Sequence, residues 1–122
     1  MALVLCTGID PALMATRKLI LERAGHSVVP AMSDKEAEAA CEQHAFDVAI
    51  LGQTVTPRLK QDLASKVRSY CPGVKILELY LPHLGRQLAD ADSWLEVPAA
   101  VPEKLAETVT ELAGGETKPS QS

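Results

Sequence analysis

The sequence predicts an α/β fold: a single doubly wound (βα)5 domain with helices on both faces of a parallel sheet. Three observations predict it. Val48-Ala49-Ile50-Leu51 is an apolar run without alternation, bounded by Asp47 and by Gly52-Gln53-Thr54, as expected of a strand buried on both faces. Further short apolar runs recur along the chain, and stretches of helical spacing separate them. The joints carry the residues that start and stop helices. In such a sheet ligands bind where the strands end at their carboxyl edge. The residue after the central run is Gly52, which has no side chain with which to do chemistry.

In order, Leu3-Val4-Leu5-Cys6 is a first strand and Thr7-Gly8-Ile9-Asp10-Pro11 ends it. Asp10 can cap a helix, and Pro11 suits the first turn. That helix is expected to reach about Ala24. It should bury Leu13, Ile20 and Ala24, turn Arg17, Lys18, Glu22 and Arg23 to water, and stop at Gly25. His26-Ser27-Val28-Val29-Pro30 reads as the second strand. Ser33-Asp34-Lys35-Glu36 is a capping box, and the helix it opens has a small-residue face of Ala37, Ala40 and Cys41 before ending at His44-Ala45.

After the central strand a third helix is expected from about Pro57. Leu59, Leu63, Val67 and Tyr70 form its apolar stripe, and Arg58, Lys60, Lys66 and Arg68 its basic outer side. Cys71-Pro72-Gly73 is a turn, and Val74 to Leu79 a fourth strand interrupted by Glu78. Leu81 to Asp90 is expected to hold a short fourth helix, because Gly85 in its interior costs about 1 kcal/mol against Ala. Ser93 to Val97 is a thinner fifth strand, ended by Pro98. Pro102 opens a last helix through Leu105, Val109 and Leu112. The domain should occupy residues 1–113, and the polar tail of residues 114–122 has no apolar anchor and is expected to be disordered.

The 122 residues suit one core, and with 47% apolar and 3% aromatic residues that core is mostly aliphatic. A net charge of -4 argues against nucleic acid or an anionic membrane as partner. No stretch is long enough to span a bilayer and the start does not resemble a signal peptide, so a cytoplasmic location is expected. Cys6, Cys41 and Cys71 are odd in number and widely spaced, which suggests reduced, buried thiols. Neither they nor His26, His44 and His83 have the spacing of metal ligands. Serine-hydrolase, dinucleotide and P-loop motifs are missing, as are paired carboxylates. No catalytic residue, cofactor or metal site is therefore expected.

Five phrases, in order, resemble the response-regulator receiver domain, the CheY-like family. They are Leu3 to Pro11, Leu19 to Val29, Phe46 to Leu51, Cys71 to Leu77, and Trp94-Leu95-Glu96-Val97-Pro98. The resemblance covers about residues 2–113 and implies the flavodoxin-like strand order 2-1-3-4-5. It also implies where receiver chemistry would sit. The phosphoacceptor Asp at the end of the third strand matches Gly52. The Mg²⁺-binding acidic pair after the first strand matches Gly8 and Ile9, or Thr7 and Gly8. The Thr or Ser after the fourth strand matches Tyr80, and the Lys before Pro after the fifth matches Val97. None of these residues can do what the family asks of the position. Asp10 is the one nearby carboxylate and is better read as a cap, while Asp47 lies at the opposite edge of the sheet. Tyr80 and Ile9 are expected to fill part of the pocket left behind.

The resulting expectation is a phosphorylation-independent receiver-like module that binds a protein partner in signal transduction and is not an enzyme. In the family, partners and self-association commonly use the face of the fourth helix, fifth strand and fifth helix. Here that face carries Leu81, Leu84, Leu88, Trp94 and Glu96, and a homodimer could form through it. Two alternatives stay open: a small-molecule sensor using the pocket at the carboxyl edge, and a conventional phosphorylated receiver with a relocated site.

Overall fold

The computed structural model describes residues 2–98 and 102–114. Its centre is β3 (Val48–Leu51), every residue of which is buried. Around it lie β1 (Leu3–Thr7), β2 (Ser27–Ala31), β4 (Lys75–Tyr80) and β5 (Ser93–Glu96), all parallel, in the order β2-β1-β3-β4-β5. Four helices connect or follow them: α1 (Pro11–Arg23), α2 (Asp34–Gln43), α3 (Pro57–Tyr70) and α4 (Glu103–Gly114). Helices α1 and α4 cover one face and α2 and α3 the other.

Strand alternation splits the core accordingly. Val4, Cys6, Val48, Ile50, Leu77, Leu79 and Leu95 pack under α1 and α4. Leu5, Ala49, Leu51 and Ile76 pack with Ala37 and Cys41 of α2 and Leu63, Ala64 and Val67 of α3. The expected helix starts are present. Asp10 accepts from the amides of Ala12 and Leu13 at 3.0 and 3.3 Å. Ser33 Oγ accepts from Glu36 N, while the Glu36 carboxylate reaches back to Met32 N. Gly25 stops α1 at φ 97°, a left-handed conformation that Gly adopts at little cost.

The structure departs from the sequence-based expectations in three places. Residues 81–90 form turns, so there are four helices in the described chain where five were expected. The buried face of α1 is Met14, Arg17 and Leu21; Leu13 and Ile20 are half-buried and Ala24 is exposed. On α3, Lys60 is buried and Tyr70 exposed, the reverse of what was expected. Of the tail, residues 115–122 lie outside the described residues.

One side chain explains both the lost helix and the buried lysine. Glu78 points from mid-β4 into the α3 face and is fully buried. Its carboxylate pairs with Lys60 Nζ at 2.8 Å, and that ammonium also donates to Leu79 O. The same carboxylate accepts from the backbone amides of Gln87, at 2.8 and 3.0 Å, and Leu88, at 2.9 Å. Backbone groups that a helix would pair internally are paired here with a side chain. Around this anchor Gly85 takes φ +75°, Trp94 Nε1 donates to Leu88 O, and Asp92 accepts from Ile76 N. The guanidinium of Arg86 lies 4.5 Å from the Trp94 ring centre and 5.8 Å from that of Tyr80.

Candidate functional site at the carboxyl edge of the sheet

The loops after β1 and β3 meet at the edge where ligands bind in open α/β sheets. Gly8 follows β1, is buried, and donates its amide to Ala31 O. Thr54 joins the two loops by accepting from Ile9 N at 3.1 Å. A Cβ on Gly8 would meet Met14 Sδ at 3.0 Å. Gly52 is more tightly held: a Cβ there would lie 2.6 Å from Thr7 O and 3.3 Å from Arg17 Nη1. Real Cβ atoms do not come so near a backbone oxygen. The closeness of β1 and β3 at this point therefore favours glycine on steric grounds.

Arg17 is the residue at this edge that was expected in water. It sits in the second turn of α1 with 5% of its surface exposed and donates from Nη2 to Gln53 Oε1 at 2.7 Å. Burial pulls its pKa down from the usual arginine value, and nearby Cys6 and Asp10 oppose that. Cys6, on β1 below it, is pushed up to about 11 by burial, with Arg17 acting in the other direction. The Cys6 thiol is therefore neutral at pH 7. Asp10 accepts from the first amides of α1 through Oδ1.

These donors do not suit a hard divalent ion. Mg²⁺ prefers an octahedron of oxygens, several of them anionic or water, and here a guanidinium stands beside Gly52. The crevice left beside Gly8 holds about 20 Å³, roughly the room of one water. Among the described residues no three His, Cys, Asp or Glu gather closely enough to hold a metal.

The remaining predicted positions are scattered. Ile9 turns its side chain outward, 59% exposed, and Tyr80 is half-buried near Arg86. Neither fills the site; Arg17, Gln53 and Met14 crowd it instead. Val97 is buried and donates its amide to Tyr80 O. The expected interaction surface is likewise divided. Leu88 belongs to the core under the 81–92 loop, and Leu81 and Trp94 are half-buried. Leu84 and Glu96 are exposed.

A second feature opens beside this edge, between α1 and the start of α4: a cavity of about 290 Å³ with Arg17 and Gln53 in an otherwise largely apolar wall. Helical spacing alone did not reveal it, because it depends on where α4 settles against β5.

The fold is similar to that of several solved receiver structures. The chemotaxis protein CheY4 of Vibrio cholerae matches with TM-score 0.77 and 26% identity, over 92% of this chain and 98% of that one. A CheY-like response regulator receiver domain protein from Methanospirillum hungatei matches with TM-score 0.79 and 23% identity, over 98% of both chains. A response regulator from Burkholderia pseudomallei, solved with a phosphorylated aspartic acid, a calcium ion and citrate, matches with TM-score 0.74 and 18% identity, over 100% of this chain and 74% of that one. No family model and no curated protein matches the sequence. The flavodoxin-type, CheY-like fold is thus shared with receivers, strand order included.

Proposed function

We propose that the chain is a receiver-like module of signal transduction that works without phosphorylation, as a protein-binding element and not as an enzyme. One observation carries this reading. At the position matching the phosphoacceptor stands Gly52, where a Cβ would lie 2.6 Å from Thr7 O, and the nearest side-chain group to that Cβ is a guanidinium. Phosphoryl transfer onto a carboxylate depends on a metal and on positioned charge. Here the acceptor is missing, Gly8 and Ile9 offer no carboxylate to a metal, and Val97 stands where the family has Lys. A dication would also be repelled by Arg17.

The surface proposed for a protein partner, or for a second copy of the chain, is the exposed remainder of the β4–β5 corner. Leu84 and Glu96 are outermost there, with Leu81 and Trp94 behind them. Trp94 is held by Leu88 O and covered by Arg86, which makes it a pre-ordered aromatic of the kind that anchors interfaces. No helix among the described residues is long and apolar enough to cross a membrane. With a net charge of -4, a protein partner is the better candidate than nucleic acid.

The test is to titrate Mg²⁺ with beryllofluoride, a phosphoryl mimic, while following Trp94 emission and thermal melting. Neither signal should move. A saturable response that disappears when Mg²⁺ is removed would return the chain to the phosphorylated switches. Sedimentation across a range of concentrations, with Leu84→Asp as control, tests the self-association surface.

A further inference from the structure

Among the described residues Arg17 is a buried cation in no ion pair. The ion pairs among the described residues are Lys18–Glu22, Lys60–Glu78, Lys66–Asp34 and Arg68–Asp92, and Arg17 is in none of them. Of its five N–H donors, the one described side-chain bond goes to Gln53 Oε1. Gln53 offers a dipole and not a charge. Its own amide NH₂ has no acceptor among the described residues. The Cys6 thiol is protonated at pH 7, and Asp10, which caps α1 through Oδ1 and acts on Arg17 only through space, forms no ion pair with it. Burying a charge is costly unless it is paired, so this arrangement favours an anion that arrives from outside.

The cavity beside Arg17 defines that anion. It is walled by Leu13, Ile20, Leu81, Leu95 and Leu105, with Arg17 and Gln53 among its few polar groups. At about 290 Å³ it lies at the small end of the range of ligand pockets, roughly 300–1,000 Å³. A neutral apolar ligand would leave the guanidinium unpaired. A dianion such as a phosphate ester would bring a second charge against leucine side chains. A carboxylate matches a guanidinium in charge and in fork geometry.

We propose that this cavity binds a small amphipathic monocarboxylate, its carboxylate paired with Arg17 and accepting from the Gln53 amide, its hydrocarbon against the leucine walls. The site adjoins the Gly8–Gly52 seam without using it. It needs no phosphoryl chemistry, so it stands or falls separately from the beryllofluoride result.

The experiment is calorimetric titration of the full chain with octanoate, kept well below micelle-forming concentrations, and with 1-octanol and inorganic phosphate as the contrasting probes. Octanoate should bind one to one and raise the melting temperature. Octanol should bind at least tenfold more weakly, and phosphate not at all. Arg17→Met, checked for an unchanged circular dichroism spectrum, should weaken octanoate at least tenfold and leave octanol unaffected. Equal affinity for octanoate and octanol, absence of octanoate binding, or an unchanged affinity in Arg17→Met would each overturn the proposal. Should Arg17→Met fail to fold, Leu105→Phe fills the cavity from the opposite element. Octanoate must then fail to bind, and retained binding overturns the proposal equally.

Discussion

Lys60 and Arg17 form a natural pair for comparison. Each is a cation on a helix, each is buried, and they lie on opposite faces of one sheet. Lys60 meets Glu78 at 2.8 Å and Leu79 O at 2.9 Å, and Glu78 in turn holds two backbone amides of the following loop. Arg17 meets one neutral amide. The first charge is closed within the protein and fixes the path of the chain. The second is open, and lies against a cavity. Burial of a charge therefore does not by itself identify structure or function; what answers the charge decides between them.

The largest effect that would break this comparison is at Glu78. Glu78→Ala leaves a buried ammonium without its counter-ion, held by Leu79 O alone, and two amides without their acceptor, and a loss of about 3–5 kcal/mol is expected in urea unfolding. Trp94 emission should shift as well, because its partner Leu88 O sits on the same loop. The double variant Lys60→Met/Glu78→Leu should recover only part of the loss, since Gln87 and Leu88 still lack an acceptor. A cost for Glu78→Ala below about 1 kcal/mol would mean that the pair is no anchor.

The next effect concerns the other edge. Gly52→Ala should destabilise by about 1–3 kcal/mol through the contact with Thr7 O. Gly52→Asp should be no better, although its carboxylate would be near Arg17. If thermal melting shows Gly52→Asp to be more stable than the wild type, the seam has room, and the steric reading of Gly52 is wrong.

The smallest expected effect sharpens the comparison with a third buried base that carries no charge. His26 accepts from Ala2 N through Nδ1 at 3.1 Å. Thr110 gives its hydroxyl proton to Ala106 O, so its oxygen is left to accept from His26 Nε2–H, at 3.0 Å. Both ring nitrogens are thus satisfied in the neutral form, and burial lowers the His26 pKa from its ordinary value. A folded pKa below the unfolded one means that the unfolded chain binds the extra proton first. The stability His26 contributes is complete above about pH 6.5 and declines as the pH falls below it. Urea midpoints between pH 7.5 and 5.5 should show this slope, and His26→Gln should flatten it.

The sheet was legible because its signal is local. Strands such as Val48–Leu51 are apolar without interruption, and Asp10, Ser33 and Gly25 mark helix ends by chemistry that acts within a few residues. The segment after β4 was not legible, because the side chain that shapes it, Glu78, accepts from amides 9 and 10 residues further on and is held in place by Lys60, 18 residues away in sequence. A signal did exist. Lys60 falls on the same helical stripe as Leu63, Ala64 and Val67, and Arg17 on that of Met14 and Leu21. Treating every helical cation as solvated concealed both. A carboxylate inside an otherwise apolar strand is itself a request for a buried partner. At the site, the glycines were legible and their packing was not: the contact of Gly52 with Thr7 O depends on how closely two strands approach.

The bond set of Glu78 has one further consequence, for how this corner opens. Its two oxygens serve an ammonium and two backbone amides, and Leu88, which supplies one of those amides, also holds the indole of Trp94. These bonds share a single hub, so they cannot be lost one at a time without exposing the rest. The stretch from Arg86 to Trp94 should behave as one cooperative unit in amide hydrogen exchange, the Gln87 and Leu88 protons leaving at a common rate while those of Leu84 and Gly85, bonded to Leu81 O, exchange independently.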